Sequence, residues 1–107
     1  MTDPVTLIYV TAPDEAAARA IGHAVVAERL AACANILPGM RSIYWWQGKL
    51  EEATEAVLIL KTVESAAERV IARVRALHDY AVPCAIALPV GAGNPDYLDW
   101  IRAETRA

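Results

Sequence analysis

Cys33, His78 and Cys84 are among the side chains of this 107-residue chain that offer the donor chemistry transition metals favour. A thiolate and a neutral imidazole are good partners for copper or zinc. Each position also admits a plain structural reading. Cys33 is either a thiolate ligand or a small buried hydrophobe at the start of a strand. His78 is either a ligand or the end of a helix, bonding its last carbonyls, and Cys84 is either a ligand or a core residue of a buried strand. No CxxC is present, so both cysteines are expected as free thiols in a reducing compartment. Tyr44-Trp45-Trp46 is the densest aromatic run. Alternation puts Tyr44 and Trp46 on one face, as a ligand platform or as interface packing. Lys61, beside Thr62, offers a cation to an anionic ligand or is simply a solvated lysine at a strand end.

Other chemistries lack their signatures. Gly91-Ala92-Gly93 carries only the first two glycines of a dinucleotide fingerprint, with Asp96 where the third belongs, and it follows the last strand. There is no phosphate-binding GK[ST] loop and no GxSxG. Cys33, His78 and Asp79 would make a nucleophile, base and orienter, but no motif supplies an oxyanion hole, and no enzyme is expected. A formal charge of −3 without a Lys/Arg run argues against nucleic acid as a partner. No window approaches the roughly 18 apolar residues of a membrane span, and Met1-Thr2-Asp3-Pro4 lacks the basic and apolar regions of an export signal, so a cytoplasmic location and no membrane partner are expected.

The elements that must position these residues follow from periodicity. Val5 to Thr11 is a strand with apolar residues on both faces, Leu7 and Tyr9 opposite Ile8 and Val10. Pro13 and Asp14 open a helix with a stripe of Ala17, Ile21, Ala24 and Val25. Ser65 and Glu68 have the spacing of a capping box for a second helix running to about Leu77, with Val70, Ile71, Val74 and Leu77 inward. Pro83 ends the following loop, Cys84 to Pro89 is a short strand, and Asn94-Pro95 cap a terminal helix with Leu98 and Ile101 facing inward. The order is β-α-β-β-α-β with a C-terminal helix, an α+β ferredoxin-like plan in one domain spanning residues 1–107.

The central stretch, Cys33 to Thr62, is a hairpin turning at Gln47-Gly48-Lys49. Each arm of about 13 residues extends roughly 43 Å, whereas a globule of this length is roughly 34 Å across. The arms must therefore bend, with Pro38-Gly39 the natural bulge, or project onto another chain. A sheet with both helices on one face would also leave about six apolar side chains in water, at roughly 1.5–3 kcal/mol each. Self-association is the physical remedy.

Three stretches, Leu30-Ala31-Ala32-Cys33-Ala34-Asn35-Ile36 with Pro38, Ser42 through Lys49 running to Lys61-Thr62, and Leu77-His78 with Tyr80, Val82 and Pro83, carry a resemblance. With Ala87-Leu88-Pro89 and Gly93 through Trp100, they resemble the CutA divalent-cation-tolerance family from Val5 to Ile101. The resemblance implies a ferredoxin-like subunit in a homotrimer whose sheets surround a three-fold axis, similar in architecture to PII signalling proteins. It implies a role in metal tolerance with copper as the first candidate, and zinc or another divalent cation behind it. The family's metal-site cysteine and histidine fall on Cys33 and His78, with Asp79 and Tyr80 beside them. The usual His-Pro-Tyr-Glu-Val-Pro-Glu stands here as His78-Asp79-Tyr80-Ala81-Val82-Pro83-Cys84, which removes two carboxylates and adds a thiol. If Cys84 meets Cys33 and His78 across a subunit boundary, two sulfurs and a nitrogen suit Cu(I) or Zn(II) better than Mg(II). The alternative is a PII-like signalling or scaffold trimer that binds a small anionic metabolite with Lys61, Tyr44 and Trp46.

Overall fold

A computed structural model describes residues 2–106. The strands are β1 (Val5–Ala12), β2 (Cys33–Trp46), β3 (Lys49–Val63) and β4 (Ala85–Pro89); the helices are α1 (Glu15–Ala27), α2 (Ala67–Leu77) and α3 (Pro95–Glu104). The sheet order is β2-β3-β1-β4, with every neighbouring pair antiparallel. This is the ferredoxin-like plan with its appended helix. No helix among the described residues is long and apolar enough to cross a membrane.

Asp14 caps α1, its carboxylate accepting from the Ala17 N–H at 2.8 Å, so Pro13 lies before the cap and not in the first turn. The buried stripe is Ala18, Ile21, Gly22 and Val25, rotated from the expected one, in which Ala17 and Ala24 are only half-buried. Close packing sets that rotation. A Cβ at Gly22 would meet the Ala34 Cβ and the Leu58 Cδ1 at 3.1 Å each, so the helix turns its smallest residue toward the sheet.

The capping box expected at Ser65 and Glu68 does not form. The Ser65 amide and hydroxyl both donate to the Asp3 carboxylate, the chain makes a 3-10 turn over Glu64–Ala66, and α2 begins at Ala67 without a side-chain cap. A distant carboxylate has outcompeted the local one. Helix α2 buries Val70 and Val74, with Ile71 and Leu77 against the same core, and turns Arg73 outward to a two-pronged bond with Glu28 at 3.0 and 2.9 Å. In α3, Asn94 accepts from the Asp96 N–H at 3.2 Å, Pro95 occupies the first turn and Ile101 is buried, as the sequence predicts.

The hairpin both bulges and projects. Register passes from Leu37 opposite Val57 to Met40 opposite Glu55, so β2 holds one extra residue at Pro38-Gly39, where Gly39 has φ 77°. The connection is the two-residue turn Gln47-Gly48, with φ 50° and 80°, a twist that suits paired antiparallel strands. Beyond Ala12, the last residue of β1, the two arms continue as a free ribbon, and the molecule measures 47 × 25 × 22 Å.

The two sheet faces differ in cover. Ile8, Val10, Leu58 and Leu60 are wholly shut from solvent in the core with α1 and α2. On the other face Leu7, Tyr9 and Ile59 are half-buried, and Ile86 and Leu88 are 52% and 44% exposed. Helices α1 and α2 leave this face open, and Leu7, Tyr9, Ile59, Ile86 and Leu88 keep part of their apolar surface in contact with solvent.

Candidate functional site

Cross-strand pairing puts most of the candidate residues on this open face. Cys33 lies opposite Lys61, which lies opposite Leu7, itself opposite Leu88. Tyr44 and Trp46 continue the same face along the hairpin, in phase with Met40, whose sulfur receives the Tyr9 hydroxyl at 3.5 Å.

The candidate residues fall at the two ends of this face. At the first, the Lys61 ammonium donates to the Tyr97 hydroxyl at 3.0 Å and lies 5.2 Å from that ring's centroid, while Tyr97 stacks on Trp100 at 5.6 Å. The Tyr97 bond, more than the nearby Cys33 thiol, raises the Lys61 pKa against an opposing desolvation. The Cys33 sulfur is 3.8 Å from the Asn35 side-chain oxygen Oδ1, and the thiol is half-buried.

At the other end the free ribbon, the end of β1 and the loop before β4 enclose a groove of about 580 Å³. Tyr44 and Trp46 line one side, Tyr80 and Cys84 the other, with Thr11 and Glu55 between them. Glu55 is only 8% exposed. Its Oε2 accepts from the Tyr80 hydroxyl at 2.7 Å. Burial first, and then this carboxylate, hold the Tyr80 phenol far above its ordinary range, so at neutral pH it is a donor.

His78 anchors the groove's loop. Its Nε2–H donates to the Thr11 carbonyl at 2.7 Å and its Nδ1 accepts from the Tyr80 N–H at 3.1 Å, a pattern that defines the neutral Nε2–H tautomer. The ring also lies 4.6 Å from that of Tyr80. Asp79 is exposed.

The structure thus brings His78, Tyr80 and Cys84 together with Tyr44 and Trp46, and separates them from Cys33 and Lys61. Cys33 and Cys84 stand at opposite corners of the face, three strand spacings across and about four residues along, or roughly 20 Å. Among the described residues no three Cys, His, Asp or Glu side chains come close enough to hold a metal ion. Within a single protomer, Lys61 does not share a site with Tyr44 and Trp46 either. Glu55 escaped the reading of the sequence, although a signal was present. It occupies an open-face position in the alternation Glu55, Val57, Ile59, where every other member is apolar.

The family profile described as CutA1 divalent ion tolerance protein matches residues 6–104. The chain is 50% identical over 99 residues to the "Divalent-cation tolerance protein CutA" of Thermus thermophilus, covering 92% of this chain and 96% of that protein. It is 44% identical over 105 residues to the rice "Protein CutA 1, chloroplastic", covering 98% of this chain but only 59% of the relative's length. The crystal structure of CutA1 from Oryza sativa superposes with a TM-score of 0.94 at 44% identity, covering 98% and 96% of the two chains.

Proposed function

Because this chain belongs to the CutA1 divalent ion tolerance family, we propose that it acts in divalent-cation tolerance as a homotrimer that holds a soft transition metal, copper before zinc, at its subunit boundaries. The family is named for ion tolerance and not for a catalysed reaction. The observation that carries the reading is the apolar, uncovered sheet face with a thiol at each of two opposite corners. Closing that face between subunits removes its apolar area from water. It also allows Cys33 of one subunit to approach Cys84 of the next, which a single protomer forbids. Two thiolates favour Cu(I) and Zn(II) over harder ions. Both ring nitrogens of His78 are already bonded, so its part would be to orient the loop carrying Cys84 unless it gives up one of those bonds.

The test is competitive titration of the reduced protein with Cu(I), Cu(II) and Zn(II), with mass followed by light scattering. Trimeric wild type should bind in a fixed ratio, and Cys33→Ser and Cys84→Ser should each lose tight binding while remaining trimeric. Equal, weak binding by all three proteins would make the thiols structural. A monomeric wild type would remove the boundary altogether.

A further inference from the structure

Two charges without ionic partners stand at opposite ends of the open face, and the metal reading uses neither. At the hairpin end Glu55 is more than nine-tenths buried, yet none of the ion pairs among the described residues involves it. Its Oε2 accepts from Tyr80, and its Oε1 has no hydrogen-bond partner among those residues. No sealed side-chain oxygen or nitrogen there lacks a partner, so Oε1 opens toward the groove. A carboxylate kept from bulk water without a counter-charge is costly until a cation meets it. At the other end Lys61 is half-buried, donates to the Tyr97 hydroxyl, and takes part in none of the same ion pairs. The Tyr97 bond favours its charged form.

Within one protomer the two cannot meet. They lie six positions apart on the same face of β3, or roughly 20 Å, beyond the reach of a lysine side chain. A closed ring of subunits changes this, because a head-to-tail interface joins one end of the face to the opposite end of the next. Cys33 is the cross-strand partner of Lys61, and Cys84 lines the same groove as Glu55. The docking that carries Cys33 to Cys84 of the partner subunit therefore carries Lys61 to that groove. The other basic residues of the strands are placed differently. Arg41 bonds Glu52 on the other face of the ribbon, and Lys49 lies beside the turn, at the same end as Glu55.

Resting on that head-to-tail assembly, we infer that the Lys61 ammonium of one subunit enters the hairpin-end groove of the next and pairs with its Glu55, once at each boundary of the ring. The walls suit a lysine. Tyr44, Trp46 and Tyr80 line the groove, which gives the aliphatic stem an apolar surface and the ammonium aromatic faces. The Tyr80 hydroxyl already holds the carboxylate's other oxygen. The groove is thus a socket for a second copy of this chain. It also fixes direction, since any docking that brings like ends together leaves Glu55 buried and unpaired.

The experiment is a double-mutant cycle on trimer dissociation, read by light scattering in rising denaturant with a metal chelator present. Glu55→Gln and Lys61→Met should each raise the dissociation constant at least about tenfold, and the double variant should be little worse than the more affected single. Since the two residues are out of reach within a protomer, such coupling has to cross a boundary. Additive losses, or wild-type assembly in both single variants, would overturn the pair. If Glu55→Gln does not fold, wild-type trimers built from isotope-labelled and unlabelled chains decide. Nuclear Overhauser contacts should join Lys61 of one chain to Glu55 or Tyr80 of the other, and their absence overturns the pair likewise. Metal titration of the same proteins keeps the two readings apart. Additive losses in a trimer that binds metal in a fixed ratio sink the pair and leave the boundary metal, whereas coupled losses with weak metal binding leave the pair and remove the metal. A monomeric wild type overturns both.

Discussion

Leu58 and Ile59 are neighbours in the chain and nearly identical in chemistry, yet the fold treats them oppositely. Leu58 is closed to solvent and packs against α1, whose Gly22 lies within van der Waals reach of its side chain. Ile59, one residue on, faces the uncovered side between Tyr9 and Asn35. Two helices suffice to cover one face of a four-stranded sheet, and α1 and α2 lie on the same face. Apolar character on a strand therefore reports that a face is to be buried, not by what. The helix-covered face is a completed core, and the open one keeps apolar residues that α1 and α2 do not cover.

The comparison can be broken at its strongest point first. Leu58→Ala is expected to cost about 2–5 kcal/mol of protomer stability, through lost contact and an unfilled cavity, as measured by urea denaturation. A loss below about 1 kcal/mol would mean that the helix-covered face is not the main core. Ile59→Lys should keep its circular dichroism but raise the dissociation constant of the assembly by about a hundredfold, because the charge must be buried or the interface abandoned. Unfolding of the protomer by this change would erase the distinction between the faces. Gly22→Ala sharpens the same contrast on the covered side. Its methyl must displace Ala34 or Leu58 from a 3.1 Å approach, and a cost of about 1–3 kcal/mol is expected in the thermal or urea midpoint.

The smallest effect concerns the groove. Folding raises the Tyr80 phenol above its ordinary value, mainly by burial and then through Glu55. The associated stability is complete below about pH 10, the value of a free tyrosine, and is lost as pH rises beyond it. Urea midpoints measured from pH 8 upward should therefore fall more steeply for wild type than for Tyr80→Phe above about pH 10. Parallel curves would show that Tyr80 titrates as it does in the unfolded chain.

Much of the architecture was legible because it rests on local physics. Period-two alternation defined the strands, Asn94-Pro95 marked the start of α3, and Pro38-Gly39 marked the bulge. Errors arose where a distant group competed with a local one. Asp3 took the Ser65 hydroxyl that a capping box would have used, and the Gly22 approach rotated the buried stripe of α1 by about one residue.

The candidate site was legible only in its ingredients. Cys33, His78, Cys84, Lys61, Tyr44 and Trp46 are visible as residue types, but their grouping depends on strand order. The sheet order β2-β3-β1-β4 places Cys33 and Cys84 on opposite edges, and Glu55 gains meaning only when the loop carrying Tyr80 folds beside it.

By itself, then, the sequence determined the elements, the hairpin and the excess of apolar surface, since propensity, turn chemistry and alternation act over a few residues. Only the tertiary structure decided which face the helices cover, which side chains share an end of the sheet, and that a buried carboxylate lines one groove with Tyr44, Trp46 and Tyr80. Those outcomes depend on contacts between residues far apart in the chain, whose competition no local pattern records.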